Sequence, residues 1–148
     1  MSEDIKARRR WMGLLARSSH NAIRARLNDA PPLPPHSRLR GPETGLVMLR
    51  GRAGGDGSAF NLSEMTVTRC AVTLEDGTVG HAYVAGRDRQ QAELAAVLDA
   101  ALQNAALRPA LMGAVVEPLA AQEAEHRARE ARKAAATRVQ FFTMANMR

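Results

Sequence analysis

At 148 residues, 45 % of them hydrophobic but only five aromatic, the chain suits one domain with a modest core of Leu, Val, Met and Ala. Its net charge of +6 is terminal: residues 1–26 hold seven basic side chains against two acidic, 117–148 six against four, and 27–116 eight against nine. With no signal-like apolar run, no stretch of ~18 apolar residues and no aromatic-interleaved basic motif, the expectation is a cytoplasmic protein that binds neither membrane nor nucleic acid.

In chain order, residues 3–17 read as a helix with Ile5, Trp11, Met12 and Leu15 near one face. A second helical stretch around Asn21–Leu27 completes a basic helical segment, 1–30, and ends at the polyproline-like connector 31–37. A β-rich half follows. Residues 45–50 are a strand candidate, closed by the glycine-rich 51–57. Residues 65–74 are rich in Val and Thr, and 78–85 return as their partner. Between them Asp76-Gly77 predicts a tight hairpin turn with positive φ at both central residues.

Helix resumes at Arg89, where Asp88 and Gln91 stand as a capping box. Leu94, Val97, Leu98, Ala101 and Leu102 form the stripe expected to cover the sheet. Pro118 fits the first turn of a last helix, and from 120 to 138 alanine is the only apolar residue type. Glu123 and Arg127, like Glu125 and Arg129, are spaced i,i+4 in the favourable order. Residues 115–148 therefore read as a protruding polar helix. Its apolar tail (Val139, Phe141, Phe142, Met144 and Met147) is a docking element for a partner. The fold class is α+β in one domain, 1–148: N-terminal helices, a small antiparallel sheet, a covering helix and that long polar helix with its tail.

Candidate chemistry is sparse. The four histidines are dispersed without metal-ligand spacing, so neither a metal site nor a catalytic residue is assigned. Cys70, the only cysteine, lies mid-strand and reads as a small core residue. Arg52, Gly54 and Gly55 are candidates for an anion nest, with Arg87 opening a helix as a second anion-facing residue. Against this, Asp56 disfavours a phosphate, and glycine-rich strand connections are common for conformational reasons alone.

Taken in order, Arg10-Trp11-Met12, Glu43-Thr44-Gly45-Leu46-Val47, Arg52-x-Gly54-Gly55-x-Gly57-x-x-Phe60 and Thr66–Val72 form a recognisable series. Asp76–Gly80, Gly86-Arg87-Asp88 and Arg138-Val139-x-Phe141-Phe142-Thr143-Met144 complete it. The combination resembles the G subunit of the bacterial carbon–phosphorus lyase core complex, across nearly the whole chain. Ser63, where glycine is expected before Glu64, departs from the pattern.

The resemblance implies an accessory subunit, inactive alone. It would work with H, I and L subunits when a phosphonate attacks the anomeric carbon of ATP's ribose. Adenine leaves, and α-D-ribose 1-methylphosphonate 5-triphosphate forms. It further implies a G, H, I and J core, with radical S-adenosylmethionine chemistry on J. The complex would use ATP with magnesium and methylphosphonate, with no cofactor on this chain. The alternative function is a basic nucleic-acid-binding module built on residues 1–26.

Overall fold

The computed structural model describes residues 3–139. Two helices, α1 (Glu3–Arg17) and α2 (His20–Leu27), precede the long strand β1 (His36–Arg52). A single 3-10 turn, Ala53–Gly55, leads into β2 (Ala59–Leu74), and β3 (Val79–Ala85) follows. Then come α3 (Arg89–Gln103), the short α4 (Arg108–Leu111), a π-helical turn (Met112–Val116) and α5 (Glu117–Ala136). The strands form one antiparallel sheet in the order β1-β2-β3. The α+β expectation holds, but β1 and β2 are much longer than their sequence signals.

Helix α3 organises the core. From Ala95 to Leu102 every residue is buried, because α1 and α4 pack against it as well as the sheet. A single apolar stripe therefore understates it: this helix is covered nearly all round. Gly80 on β3 makes the contact with the sheet close. A Cβ there would overlap the Ala96 carbonyl oxygen and lie 2.7 Å from the Ala100 nitrogen. Core side chains Trp11, Leu15, Ile23, Val72, Val84 and Leu98 fill the space between sheet and helices.

Three local expectations resolve differently. The β2–β3 connection is not a two-residue turn, since among the described residues none other than glycine has positive φ, and only Gly77, at +84°, does so there. Gly77 N–H donates to Leu74 O (3.0 Å), Leu74 N–H donates to Thr78 O (2.9 Å), and the Asp76 carboxylate accepts from Thr78 N–H (2.8 Å). This is the three-residue loop in which a type I turn is followed by a left-handed glycine, which spares Asp76 a left-handed φ.

The capping box is half formed. Asp88 caps Gln91 N–H at 2.8 Å, but the Gln91 amide turns away to donate to Leu15 O, Ala16 O and Ser18 O, at 2.6–3.3 Å. Those carbonyls belong to the C-terminal end of α1, where helices leave acceptors unpaired. Gln91 thus satisfies one helix end while starting another. The connector is also shorter than expected, because His36 and Ser37 already pair with Leu74 and Thr73.

Ion pairs tie the periphery to this core. Glu93 on α3 takes both ends of the Arg38 guanidinium (2.6 and 2.7 Å), and Glu123 on α5 takes Arg17 (2.6 Å) and Arg127 (2.6 Å). The hydrogen bond from Arg38 holds the Glu93 carboxyl below the usual glutamate range, and the bond from Arg17 does the same for Glu123. A depressed carboxyl stabilises the fold above its unfolded-state pKa and loses that contribution as pH falls through the folded value. Glu93→Gln is therefore expected to lower the thermal midpoint at neutral pH, and the gap to wild type should narrow progressively as pH falls below about 4. Thermal melts of both proteins between pH 7 and 3 test this; a gap that persists unchanged at pH 3 contradicts the assignment.

Candidate functional site

The feature that stands out is the far half of the β1–β2 hairpin. β3 pairs with β2 only from Thr73 to Val67, so residues 45–66 leave the domain as a two-stranded arm. Eight residues from Gly45 to Arg52, at about 3.3 Å each, make it roughly 25 Å long. An isolated two-stranded ribbon is marginal in water, and this one carries apolar side chains in the open. Leu46, Met48 and Leu62 are each more than 60 % exposed, and Phe60 is 45 % exposed.

The register places them on both faces. Leu46 faces Thr66 and Met48 faces Glu64, continuing the side of the sheet on which Thr44 meets Thr68. Val47 pairs with Met65, Leu49 with Ser63 and Gly51 with Phe60, on the opposite side. The shift between Leu49 and Arg50 makes Leu62 the extra residue of a β-bulge. Leu62 lies over Gly51, whose Cβ would stand 3.4 Å from the leucine Cδ2. Strands meant for solvent on one side alternate apolar with polar, whereas strands apolar on both sides are covered on both. The arm has the second pattern, with no cover among the described residues.

The anion candidates sit on this arm but do not converge. Arg52, Gly54 and Gly55 occupy its tip. Gly54 and Gly55 have φ of 64° and 90°, and Arg52 Nη1 donates to Gly57 O at 3.0 Å, closing the loop on itself. Arg87 lies at the root, next to Gly86, whose N–H donates to Thr66 O (2.8 Å). Six residue steps along β2, from Thr66 to Phe60, separate the two groups by roughly 20 Å. Arg52 and Arg87 therefore do not share a pocket.

Elsewhere one buried carboxylate joins several elements. Asp99, fully buried on α3, accepts from Arg8 Nε (3.1 Å) and Nη2 (2.8 Å), Trp11 Nε1 (2.9 Å) and His81 N–H (3.0 Å). It knits α1, α3 and β3 together. Nothing in the sequence singles it out, because one acid in an alanine-rich helix looks like a solvated position. Burial pushes the Cys70 thiol up, and its Sγ donates to Arg40 O (3.4 Å), so the core reading of this cysteine stands.

His20 and His36 line a cleft of about 330 Å³ with Glu93, Leu33 and Leu94, and His20 Nδ1 is buried there without a hydrogen-bond partner. Among the described residues no group of three or more His, Cys, Asp and Glu is placed to hold a metal ion, and no helix is long and apolar enough to cross a membrane.

α5 completes the picture. Leu119 is its last buried residue, and 124–136 are exposed on every side. Val139 is 69 % exposed where the described chain ends; Phe141, Phe142 and Met144 lie outside the described residues.

Comparison with known proteins decides the family. Residues 6–146 match the family described as phosphonate metabolism protein PhnG. The chain belongs to the PhnG family. A relative from Rhizobium meliloti (strain 1021), the alpha-D-ribose 1-methylphosphonate 5-triphosphate synthase subunit PhnG, is 47 % identical over 141 residues. The match covers 95 % of this chain and 89 % of the relative. Family membership in phosphonate metabolism thus agrees with the resemblance read from the sequence. For a PhnG protein the arm is the part sequence reasoning missed. Its signal was present as Phe60 and Leu62 beyond 45–50, but the glycines at 51–57 masked the return strand.

Proposed function

We propose that this chain is an accessory subunit of the carbon–phosphorus lyase core complex. In this reading it supports transfer of methylphosphonate onto the ribose of ATP with release of adenine, beside H, I, J and L subunits. The observation that carries the proposal is the uncovered two-faced arm on a member of a family whose relative is named as a synthase subunit. Surface of that kind is useful only when another chain covers it. The apolar tail, 139–148, serves the same purpose from the far end of α5. ATP, magnesium and methylphosphonate are then taken up by the assembled complex, in the cytoplasm, and this chain supplies shape and contact area.

The test is adenine release from ATP in the presence of methylphosphonate, followed by chromatography. The pure chain is expected to give none, and adding it to the companion subunits is expected to raise the rate at least tenfold. A rate from the pure chain that scales with its concentration through successive purification steps overturns the accessory reading. So does full activity of the companions without it.

A further inference from the structure

We infer that the β1–β2 arm, residues 45–66, is an insertion element that enters an acidic-floored apolar recess of a heterologous partner subunit and is covered there on both faces. The inference rests on the accessory-subunit reading and adds to it the segment, the geometry and the chemistry of the partner surface.

Two observations determine the kind of partner. Leu46 and Met48 are exposed on one side of the ribbon, and Leu49, Phe60 and Leu62 on the other. A flat surface covers one face only, so the partner must offer two walls. Backbone groups add to the fit: among the described residues no strand lies beside the outer edge of β2 beyond Val67, although β3 occupies that line from Val79 to Ala85. Extended partner chain in line with β3 would complete the sheet by main-chain pairing.

Charge selects a different chain over a second copy. The tip presents two guanidiniums against one carboxylate, Asp56: Arg50 makes no ion pair or hydrogen bond among the described residues, and the described contact of Arg52 is a neutral carbonyl. Two arms related by a two-fold axis and lying antiparallel would bring each tip to the other's root. The root is itself arginine-rich. Arg40 and Arg69 already share Glu43, at 2.9 and 3.1 Å, and Arg87, which follows the Gly86 that bonds to Thr66 O, makes no ion pair or hydrogen bond among the described residues. Self-pairing would therefore set arginine against arginine, and like charges brought together disfavour a partner. A recess with carboxylates at its floor answers the tip guanidiniums instead.

The test uses the tagged full-length chain co-expressed with the companion subunits, measuring recovery of those subunits on the tag. Leu62→Asp and Met48→Asp place a charge on opposite faces, and Arg50→Glu reverses the tip. Each is expected to cut recovery at least tenfold. Each isolated variant should keep the wild-type circular dichroism and a thermal midpoint within a few degrees, because these positions lie outside the core.

A photo-crosslinker at position 62 should join the chain to a companion subunit. Recovery unchanged by all three variants, or by either face variant alone, overturns two-faced insertion. A crosslink between two copies of this chain overturns the heterologous partner. If the wild-type chain recovers no companion, the accessory reading itself falls and the arm assignment with it.

Discussion

Asp99→Ala is expected to cost about 3 kcal/mol of stability or more, and to lower the thermal midpoint by on the order of 10 °C. The carboxylate is fully buried, and it satisfies three donor groups from two other elements: the Arg8 guanidinium and Trp11 indole of α1 and the His81 N–H of β3. Removing it leaves the indole and the peptide N–H unpaired in a place water does not reach, and each such group costs about 1–3 kcal/mol. Arg8 is one-third exposed and can turn outward, so its share is smaller than that of a fully enclosed charge.

Asp99→Asn discriminates further. Its amide oxygen can still accept from one side, but in either orientation its NH2 must face one guanidinium N–H together with the Trp11 indole N–H or the His81 N–H, donor against donor. The isosteric change is therefore expected to cost nearly as much as alanine, whereas Trp11→Phe removes one donor and costs about 1–2 kcal/mol beyond its packing change. Urea denaturation followed by circular dichroism gives all three values. An Asp99→Asn protein as stable as wild type would show that the carboxylate charge is dispensable.

How much of this could be read from the residues follows from which forces are local. α3 was legible because its cap, Asp88, bonds a residue three along, and its apolar positions from Leu94 to Leu102 recur within one turn of the next. The turn at 75–77 was legible as a turn but not in type, since choosing between a two- and a three-residue loop depends on the register of Thr73 against Val79. Asp99 was invisible because its meaning comes from Arg8, 91 residues away, and Trp11, 88 residues away.

The arm was half legible for a similar reason. Leu46–Leu49 alternate with nothing, so they suggest a strand without saying where it goes; the pairing Gly51↔Phe60 supplies the rest. Of the anion candidates, the tip residues keep company with one another because they are adjacent in sequence. Arg87 is not with them, because the return through β3 delivers it to the root of the arm. The tail was read from composition alone, and apart from Val139 its named residues lie outside the described range.

Gly80→Ala is expected to be the most damaging small substitution in the sheet, costing about 3 kcal/mol or more. The added methyl has no open direction: it meets the Ala96 carbonyl oxygen in hard overlap, with the Ala100 nitrogen at 2.7 Å and the Ala100 Cβ at 2.8 Å. Two of those three atoms are backbone, so no rotamer change relieves the clash and α3 itself must move. Ordinary carbon–oxygen contacts need about 3.3 Å, which sets a displacement on the order of 1 Å.

The helix cannot take that step freely. Asp99 is bonded to His81 N–H (3.0 Å) and Gln103 Nε2 to Val79 O (2.8 Å), one strand residue either side of Gly80. Gly45→Ala supplies the matched comparison, because nothing lies within 4 Å of that site; it should be neutral or stabilise slightly by restricting the unfolded chain. Ala100→Gly added to Gly80→Ala removes one clash but leaves both backbone contacts, and is expected to recover only a minor part of the loss. Denaturation midpoints for the four proteins decide the matter. Near-complete rescue by Ala100→Gly would mean that side-chain crowding, rather than close backbone approach, is what the glycine relieves.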